Sequence, residues 1–343
     1  MTEKWIYWFD ELDKGFNDRV GKKCAHLGEM TRLGMRVPPG FAISVDGYRR
    51  YMEQTGLAQR IGAYFREQGA ALKDNVTRQM EASRVIQKMI RDTPMPEPMA
   101  REVASHYRAL CERCGGREVA VAVRSSGAVS MPGQMDTYLN VRGEGEILRK
   151  VVEVWESTFN TRAIAFRIEK GLPVEEAPIG VAVLKMVDAK SAGVVLTVVP
   201  TTGDLDRVVV EGNWGLGESV VSGDIDPDSF TVDKATGTIE RHISHKTRWV
   251  VPNGKGTTMA DVPPELQDAP CLEDEEIREI VRIAKSVEEH FGVPQDMEWV
   301  IDKDLPFPDN VIWVQARPAR YTAKRAGADT DYLVDQMARL FRL

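Results

Sequence analysis

The chain has 343 residues, 43% of them hydrophobic and 28% charged, which is the composition of an ordinary globular protein with about two domains or lobes. Its net charge of −7 argues against nucleic-acid binding, and no apolar run approaches membrane-spanning length. The first residues lack the pattern of a signal peptide, and four scattered cysteines are too few for a disulfide framework. We therefore expect a cytoplasmic protein that binds neither nucleic acid nor membrane.

The first chemical motif along the chain is Gly21-Lys22-Lys23, which precedes a predicted helix. The helix is indicated by apolar residues at helical spacing, namely Leu27, Met30 and Leu33. Lysines near the start of a helix oppose its dipole, but they become favourable when an anion binds there. A pair of ordinary surface lysines is the alternative interpretation.

A predicted buried strand at 119–124 leads into a loop rich in Gly, Ser and Thr. The strand ends in Arg124, and the loop contains Ser125, Gly133 and Thr137. Such a loop can surround phosphate oxygens with backbone N–H and hydroxyl donors. It is not a Walker loop, because no Gly-Lys-Ser/Thr sequence ends it. Its start from an arginine at the end of a buried strand favours phosphate binding.

Predicted helices dominate residues 57–114, whereas predicted strands follow at 179–187, 192–199 and 207–211. A Gly-rich segment, 212–218, comes directly after the last of these strands. We expect a helix-rich N-terminal lobe and a strand-rich C-terminal lobe, with a ligand bound in the cleft between them.

Residues 296–318 are predicted to form two strands joined by a turn rich in Pro, Asp and Asn. Strict alternation predicts one shared face on each strand, made of Asp296, Glu298, Val300 and Asp302 on the first and Val311, Trp313, Gln315 and Arg317 on the second. If Glu298 lies opposite Gln315 and Arg317, a carboxylate, an amide oxygen and a guanidinium come together. Oxygen ligands suit Mg²⁺ and a guanidinium suits phosphate. A polar sheet edge with a structural Arg–Glu pair is the alternative.

Four groups of motifs, in this order, resemble the nucleotide-binding region shared by phosphoenolpyruvate synthase, pyruvate phosphate dikinase and rifampin phosphotransferase. The groups are Gly21-Lys-Lys-x-Ala-x-Leu-Gly-Glu-Met with Val37-Pro-Pro-Gly-Phe, Ala122-Val-Arg-Ser-Ser with Met131-Pro-Gly-Gln-Met-Asp-Thr-Tyr-Leu-Asn-Val, Trp214-Gly-Leu-Gly-Glu with Pro227-Asp, and Glu298-Trp with Gln315-Ala-Arg-Pro. The resemblance implies an α+β, ATP-grasp-type fold with two lobes. Residues 1–178 would form the lobe with the lysine motif and phosphate loop, 179–322 the lobe with the adenine and magnesium site, and 323–343 a docking helix.

The resemblance also implies which residues bind ATP and Mg²⁺. Lys23, or its neighbour Lys22, would contact the phosphates together with Arg124, and Arg317 would stabilise the transition state. Glu298 and Gln315 would hold Mg²⁺. The remaining implied nucleotide contacts are Ser125, Gly133 and Thr137 in the phosphate loop, Lys185, Met186 and Val187 beside adenine, and Glu211 or Glu218 at the ribose.

These enzymes carry a phosphate-accepting histidine in a Thr-Ser/Cys-His-Ala context, and none of the five histidines here has that context. The chain is therefore similar to the ATP-binding subunit of phenylphosphate synthase. The resemblance implies a dikinase-type phosphotransferase that cleaves ATP to AMP and phosphate and passes the β-phosphoryl group to a histidine on a partner subunit. That partner would bind the final small acceptor, such as phenol. The predicted terminal helix favours a natural subunit end over a cut.

Three alternatives stay open at this point. The chain could be a fragment of a stand-alone synthase or dikinase, a non-catalytic nucleotide-binding regulator, or an ATP-grasp ligase that forms ADP. The loop at 130–141 combines dikinase-like and synthase-like features, so it leaves open whether phosphate or water takes the γ-phosphate.

Overall fold

The computed structural model describes residues 4–73, 75–116, 118–128, 136–254 and 256–322. Within these ranges the helices are α1 (Asn17–Arg32), α2 (Val45–Gln54), α3 (Leu57–Gln68), α4 (Val76–Arg91), α5 (Glu97–Arg113), α6 (Glu144–Ser157), α7 (Thr161–Glu169), α8 (Glu218–Ser222), α9 (Pro264–Gln267) and α10 (Asp274–Phe291). The strands are β1 (Ile6–Trp8), β2 (Gly40–Ile43), β3 (Val121–Ser126), β4 (Thr137–Val141), β5 (Gly180–Lys185), β6 (Ala189–Leu196), β7 (Arg207–Trp214), β8 (Asp228–Asp233), β9 (Ile239–His242), β10 (Arg248–Pro252), β11 (Thr257–Asp261), β12 (Gln295–Asp302) and β13 (Val311–Pro318). Short 3₁₀ helices lie at Phe9–Glu11, Lys14–Phe16 and Gly69–Leu72.

Two antiparallel sheets organise the described chain. A five-stranded sheet has the order β1-β2-β5-β3-β4, and a six-stranded sheet has the order β13-β12-β6-β7-β8-β9. The hairpin β10–β11 forms a separate two-stranded sheet. This mixed α+β architecture, helical in its N-terminal part and with antiparallel sheets, confirms the coarse fold prediction.

The five-stranded sheet contributes to two hydrophobic clusters, and the six-stranded sheet contributes to the second of them. The alternate residues Val121 and Val123 of β3 pack with the helices of the N-terminal part, whereas Ala122 between them faces the second cluster. That second cluster also contains the buried face of α10, including Ile277, and the inner face of the six-stranded sheet. The five-stranded sheet is therefore buried on both sides, and its second side approaches the other sheet.

Helix α10 follows from an amphipathic sequence with clear ends. Its buried positions recur at helical spacing and pack on the six-stranded sheet: Ile277, Ile280, Val281, Ala284 and Val287. Glu273 and Glu276 form a capping box at the start, and Gly292 ends the helix with φ 69°.

The division into lobes at residue 178 remains a prediction. Strand β5 lies between β2 and β3 in the five-stranded sheet, so the chain passes to the six-stranded sheet only after Lys185. The predicted docking helix, 323–343, lies outside the described residues.

Candidate nucleotide site

Glu298 and Gln315 face each other directly across β12 and β13. Their Cα atoms are register partners, and the Gln315 Nε2 donates a hydrogen bond to the Glu298 Oε1 at 2.7 Å. A carboxylate and an amide therefore lie side by side on one face of the sheet, as the sequence predicts.

A β-bulge corrects part of the predicted alternation on β13. The next register pair is Trp299 with Trp313, which leaves Val314 as an extra residue opposite no partner. Both tryptophans belong to the core that contacts α10, whereas Gln315 lies on the opposite face beside Glu298. The prediction that Val311 and Trp313 share a face with Gln315 was wrong, because the extra residue reverses the alternation.

Arg124 reaches this pair from the end of β3 in the other sheet. Its Nη2 donates to the Glu298 Oε2 at 3.0 Å and to the Gln315 Oε1 at 3.5 Å, and its Nη1 donates to the Val314 carbonyl at 3.3 Å. Burial raises the pKa of Glu298, but the positive charges of Arg124 and Lys23 outweigh it and hold the pKa below its ordinary value. The carboxylate is therefore ionised at neutral pH.

Gly21 explains how the start of α1 docks onto the end of β3. Its φ of 78° interrupts the helix, and a Cβ atom there would lie 1.9 Å from the Ser126 carbonyl oxygen. The Lys22 N–H donates to the Gly127 carbonyl at 2.9 Å, and the Cys24 N–H donates to the Ser126 Oγ at 3.1 Å. Ser126 was missed by the sequence analysis, although it directly follows the predicted Ser125.

Lys23, rather than Lys22, shares the electrostatic environment of the site. Burial, and then the nearby charges of Arg124 and Arg317, lower the pKa of Lys23 to about 8, against the opposing effect of Glu298. Burial also lowers the pKa of Lys22. The influence of Arg124, Arg317 and Glu298 on Lys23 favours Lys23 as the lysine that meets an anion.

Arg317 forms a two-atom contact with Asp296. The Arg317 Nε and Nη2 lie 2.9 and 2.8 Å from the Asp296 Oδ2. Burial raises the pKa of Asp296 even though Arg317 opposes that shift. The sequence predicts Asp296 on the face of Glu298, but no role for it. Its two-residue spacing from Glu298 was the signal that could have paired it with Arg317.

One row of residues crosses the face of the six-stranded sheet in register, namely Gln315, Glu298, Val194, Glu211 and Ser229. Glu211 is two strands from Glu298, so the two backbones are about 10 Å apart. Burial raises the pKa of Glu211, and its carboxylate has no ion-pair partner within the described ranges. The structure brings Glu211 to the site face but not into the Glu298 cluster.

The other predicted ribose residue, Glu218, begins α8 and is exposed. The preceding Gly217 lies over β6, because a Cβ atom on it would be 3.4 Å from that of Ala192. Which of the two glutamates contacts a ribose stays a prediction.

The predicted phosphate loop is only partly described. Thr137 pairs with Arg124 across β3 and β4, so both side chains lie on the same face, and Thr137 is exposed. Ser125 is buried, and strand alternation places it on the face opposite to Arg124. Gly133 lies outside the described residues. The structure thus brings Thr137, but not the Ser125 hydroxyl, toward Arg124.

The predicted adenine segment, Lys185, Met186 and Val187, connects the two sheets. Lys185 pairs with Val121 and lies on the face of the first hydrophobic cluster, whereas Met186 packs against the second cluster. The Met186 N–H donates to the Ala120 carbonyl at 2.8 Å. Of the three side chains, Met186 is the one that the contacts place toward the six-stranded sheet.

The donor set of the site fits a phosphate-bound magnesium ion. Glu298 and Gln315 supply adjacent carboxylate and amide oxygens, and Mg²⁺ in nucleotide sites commonly takes one or two such ligands together with phosphates. Across the ranges that the structure describes, no group of three or more His, Cys, Asp or Glu side chains could hold a metal by itself.

None of the described helices is both long and apolar enough to cross a bilayer.

A protein-family model described as "Pyruvate phosphate dikinase, AMP/ATP-binding domain" matches residues 17–336.

Three archaeal relatives match over most of this chain. A "Probable phosphoenolpyruvate synthase" of Staphylothermus marinus is 39% identical, covering 92% of this chain and 41% of the relative. A protein of the same description from Methanocaldococcus jannaschii is 38% identical, covering 92% and 26%. The "Phosphoenolpyruvate synthase" of Aeropyrum pernix is 37% identical, covering 93% and 42%. The chain thus spans less than half the length of these relatives.

Proposed function

The chain belongs to the family of pyruvate phosphate dikinase AMP/ATP-binding domains, and from that membership we propose that it is the ATP-binding component of a split, dikinase-type phosphotransferase with an ATP-grasp-type, two-lobed fold. The relatives are phosphoenolpyruvate synthases of more than twice the length that matches this chain. In our proposal a partner subunit supplies the missing parts, including the histidine that receives the phosphoryl group.

The observation that carries the proposal is the convergence of Lys23, Arg124 and Arg317 around the Glu298–Gln315 pair. The three cations come from α1, β3 and β13, and each lies close enough to Glu298 to lower the pKa of its carboxyl group. Positive charges fixed in a partly buried site stabilise the charge that spreads over phosphoryl oxygens during transfer. The cluster supports a site for the triphosphate.

The neighbouring sheet surface supports an orientation for the nucleotide. Along β12 the side chains on the site face run from Asp296 through Glu298 to Val300, and Val300 pairs with Ala192 on β6. The surface therefore changes from charged to apolar in the direction of Val300. We place the phosphates at Arg317, the metal at Glu298, and the base over the apolar end.

Glu298 and Gln315 would hold Mg²⁺, and Thr137, Met186 and Glu211 or Glu218 would complete the nucleotide contacts. When bound there, the metal would neutralise negative charge on phosphate oxygens. The family resemblance keeps four further residues as proposed nucleotide contacts, namely Ser125, Gly133, Lys185 and Val187. The side chains of Ser125 and Lys185 lie on the face of their sheet opposite to Arg124, and Gly133 lies outside the described residues.

In the proposed reaction the bond between the β-phosphorus and the oxygen that bridges it to the α-phosphorus breaks. A bond forms from the β-phosphorus to a ring nitrogen of the partner's histidine, and AMP leaves. The bond between the γ-phosphorus and the oxygen that bridges it to the β-phosphorus then breaks, and the γ-phosphoryl group passes to water, which gives phosphate, or to phosphate, which gives pyrophosphate. The phosphohistidine then transfers its group to a small acceptor held by the partner, for which the resemblance to phenylphosphate synthase supplies phenol as the candidate.

Identification of the adenine product tests this function. The protein, with the partner co-purified from its source cells, is incubated with Mg²⁺ and ATP labelled at the β-phosphate. We expect AMP to accumulate and the label to appear on a histidine of the partner, and both signals to be lost in the Glu298→Gln variant. ADP as the product would indicate a ligase, and unchanged ATP that is nevertheless bound would indicate a regulatory module; either result would overturn the proposal.

A further inference from the structure

The outer edge of β13 is covered by the N-terminal part of the chain. Strand β13 ends the order of the six-stranded sheet, so its outward backbone groups have no neighbouring strand. The Trp313 N–H instead donates to the Arg36 carbonyl at 2.8 Å, and the Val314 carbonyl accepts from Arg124. The next outward group, the Ala316 carbonyl, accepts from the His26 Nδ1 at 2.7 Å.

The hydrogen bond from His26 reaches β13 between two proposed nucleotide contacts. Ala316 lies between Gln315 and Arg317, and its own side chain packs in the core on the other face. A hydrogen bond to the Ala316 carbonyl therefore holds the backbone next to Gln315 and Arg317 without touching either side chain. His26 lies three residues after Lys23 on α1, so both project from one face of that helix.

The chemistry of the bond fixes the state of the imidazole. A carbonyl only accepts, so Nδ1 must carry the proton. The ring also packs against Phe291 of α10, with the ring centroids 5.2 Å apart. Burial lowers the pKa of His26 below its ordinary value, against the effect of the Ala316 carbonyl, so the ring is neutral at pH 7 with Nδ1 as its donor.

We propose that His26 is a positioning residue of the nucleotide site, which holds β13 against α1 so that Arg317 and Gln315 keep a fixed place relative to Lys23. This inference rests on the proposed function, because it assigns a role to those three residues at a bound nucleotide. His26 itself touches no reacting atom. It acts through the Ala316 carbonyl.

The chain offers a matched control one turn further along the same helix. The His290 Nε2 donates to the Glu29 Oε1 at 2.7 Å, which ties α1 to α10 instead of to β13. If histidine hydrogen bonds merely stabilise α1, loss of either one should affect nucleotide binding alike. If His26 positions β13, only its loss should weaken binding.

Two substitutions at residue 26 separate the donor from the shape of the side chain. His26→Asn keeps an N–H donor at the δ position, whereas His26→Leu has similar branching and no donor. Binding of MgATP to the isolated protein is measured by calorimetry, and thermal unfolding is recorded in parallel. We expect H26L to weaken MgATP binding about 3- to 10-fold, in line with the loss of one hydrogen bond, and H26N to restore most of it.

A double-mutant cycle then tests whether His26 acts through β13. In an Arg317→Ala background the H26L substitution should weaken binding less than twofold, whereas His290→Leu should leave binding unchanged in both backgrounds. Equal effects of H26L in the two backgrounds, or equal effects of H26L and H290L, would overturn the positioning role while leaving the proposed function intact. If the unmodified protein binds no MgATP, the proposed function itself fails, and the inference fails with it.

Discussion

The amide of Gln315 donates to the Glu298 carboxylate at 2.7 Å, and this contact orients both groups. Because the Nε2 is engaged, the amide oxygen Oε1 points to the side of Arg124, from which it is 3.5 Å away. The pair therefore presents two oxygens beside the Arg124 guanidinium. Phosphate oxygens can take their place as hydrogen-bond acceptors of Arg124.

Gln315→Ala should weaken the binding of the Mg²⁺ ion that supports nucleotide binding. The substitution removes one of two proposed ligand oxygens and also leaves Glu298 without its amide donor. We expect the Mg²⁺ concentration for half-maximal ATP binding to rise about tenfold, which corresponds to about 1.4 kcal/mol. A Mg²⁺ titration at fixed ATP measures it, with the exposed Gln59→Ala as control. An unchanged midpoint would remove Gln315 from the metal site.

Arg317→Ala should slow phosphoryl transfer about 100-fold or more, because a fixed cation that stabilises transferring oxygens is lost. The rate of AMP formation with the partner present measures this effect. Arg320→Ala, a few residues further along and exposed, should keep its rate. Transfer by the Arg317 variant at the unmodified rate would contradict the assignment.

Lys23 should make ATP affinity fall as the pH rises through about 8, since its pKa is lowered to about 8 and the neutral amine no longer attracts phosphate. Lys23→Met should bind ATP at least tenfold more weakly at pH 7 and should lose this pH dependence. Calorimetric titrations between pH 6.5 and 9 provide the comparison. A parallel decline in both proteins would assign the effect to another group.

The same lysine should lower the stability of the nucleotide-free protein. Its pKa falls from an ordinary 10.5 to about 8 on folding, so the unfolded chain binds more protons between these values and stability rises with pH across that window. The penalty is fully present below pH 8. Lys23→Met should therefore raise the free energy of unfolding at pH 7, measured by urea denaturation, and should gain progressively less as the pH increases to 10.5.

Gly21→Ala should destabilise the fold by more than Gly34→Ala. Both glycines have a positive φ, 78° and 76°, so both substitutions incur a backbone cost of about 1–2 kcal/mol. Only at Gly21 would the new Cβ atom meet a backbone oxygen, that of Ser126, at 1.9 Å, whereas nothing lies within 4 Å at Gly34. Urea denaturation measures the difference. Equal losses would show that the contact with Ser126 is readily relieved.

Lys246→Met should be strongly destabilising, because it leaves a fully buried carboxylate without its cation. The Lys246 Nζ lies 2.7 Å from the Asp228 Oδ1, and neither side chain is exposed. We expect a loss of about 3–5 kcal/mol in the free energy of unfolding. Lys88→Met breaks the exposed pair with Asp92 and should cost at most about 1 kcal/mol. Similar losses in the two variants would contradict this account.

The sequence predicts the main candidate residues of the site because their chemistry is unusual for their position. Glu298 and Gln315 are polar side chains within an apolar hairpin, and Arg124 ends a buried strand; each is costly to bury without a partner. The residues alone therefore predict that Glu298 and Gln315 lie together, whereas the approach of Arg124 followed only from the family resemblance. Asp296 is two residues from Glu298, and Arg317 is two residues from Gln315. Once the register of the two strands is known, their ion pair follows from this equal spacing.

Other features depend on geometry that no local pattern contains. The bulge at Val314 leaves no signal in a run of Val, Ile and Trp, so strict alternation put Trp313 on the wrong face. The membership of β5 in the first sheet depends on long-range pairing with β2 and β3. The contact between Gly21 and Ser126 joins residues far apart in sequence, and glycine alone predicts only a turn.

The extra residue at Val314 determines which side chains of β13 meet Glu298. An unbroken ladder that paired Val314 with Glu298 would turn the amide and the guanidinium of β13 toward α10, while Ala316 would enter the nucleotide cleft. Such a register would place two polar groups in an apolar core and a methyl group where the proposed metal ligand belongs. Loss of the codon for Val314 alone should instead keep Gln315 opposite Glu298, because Trp313 and Gln315 already pair with consecutive residues of β12.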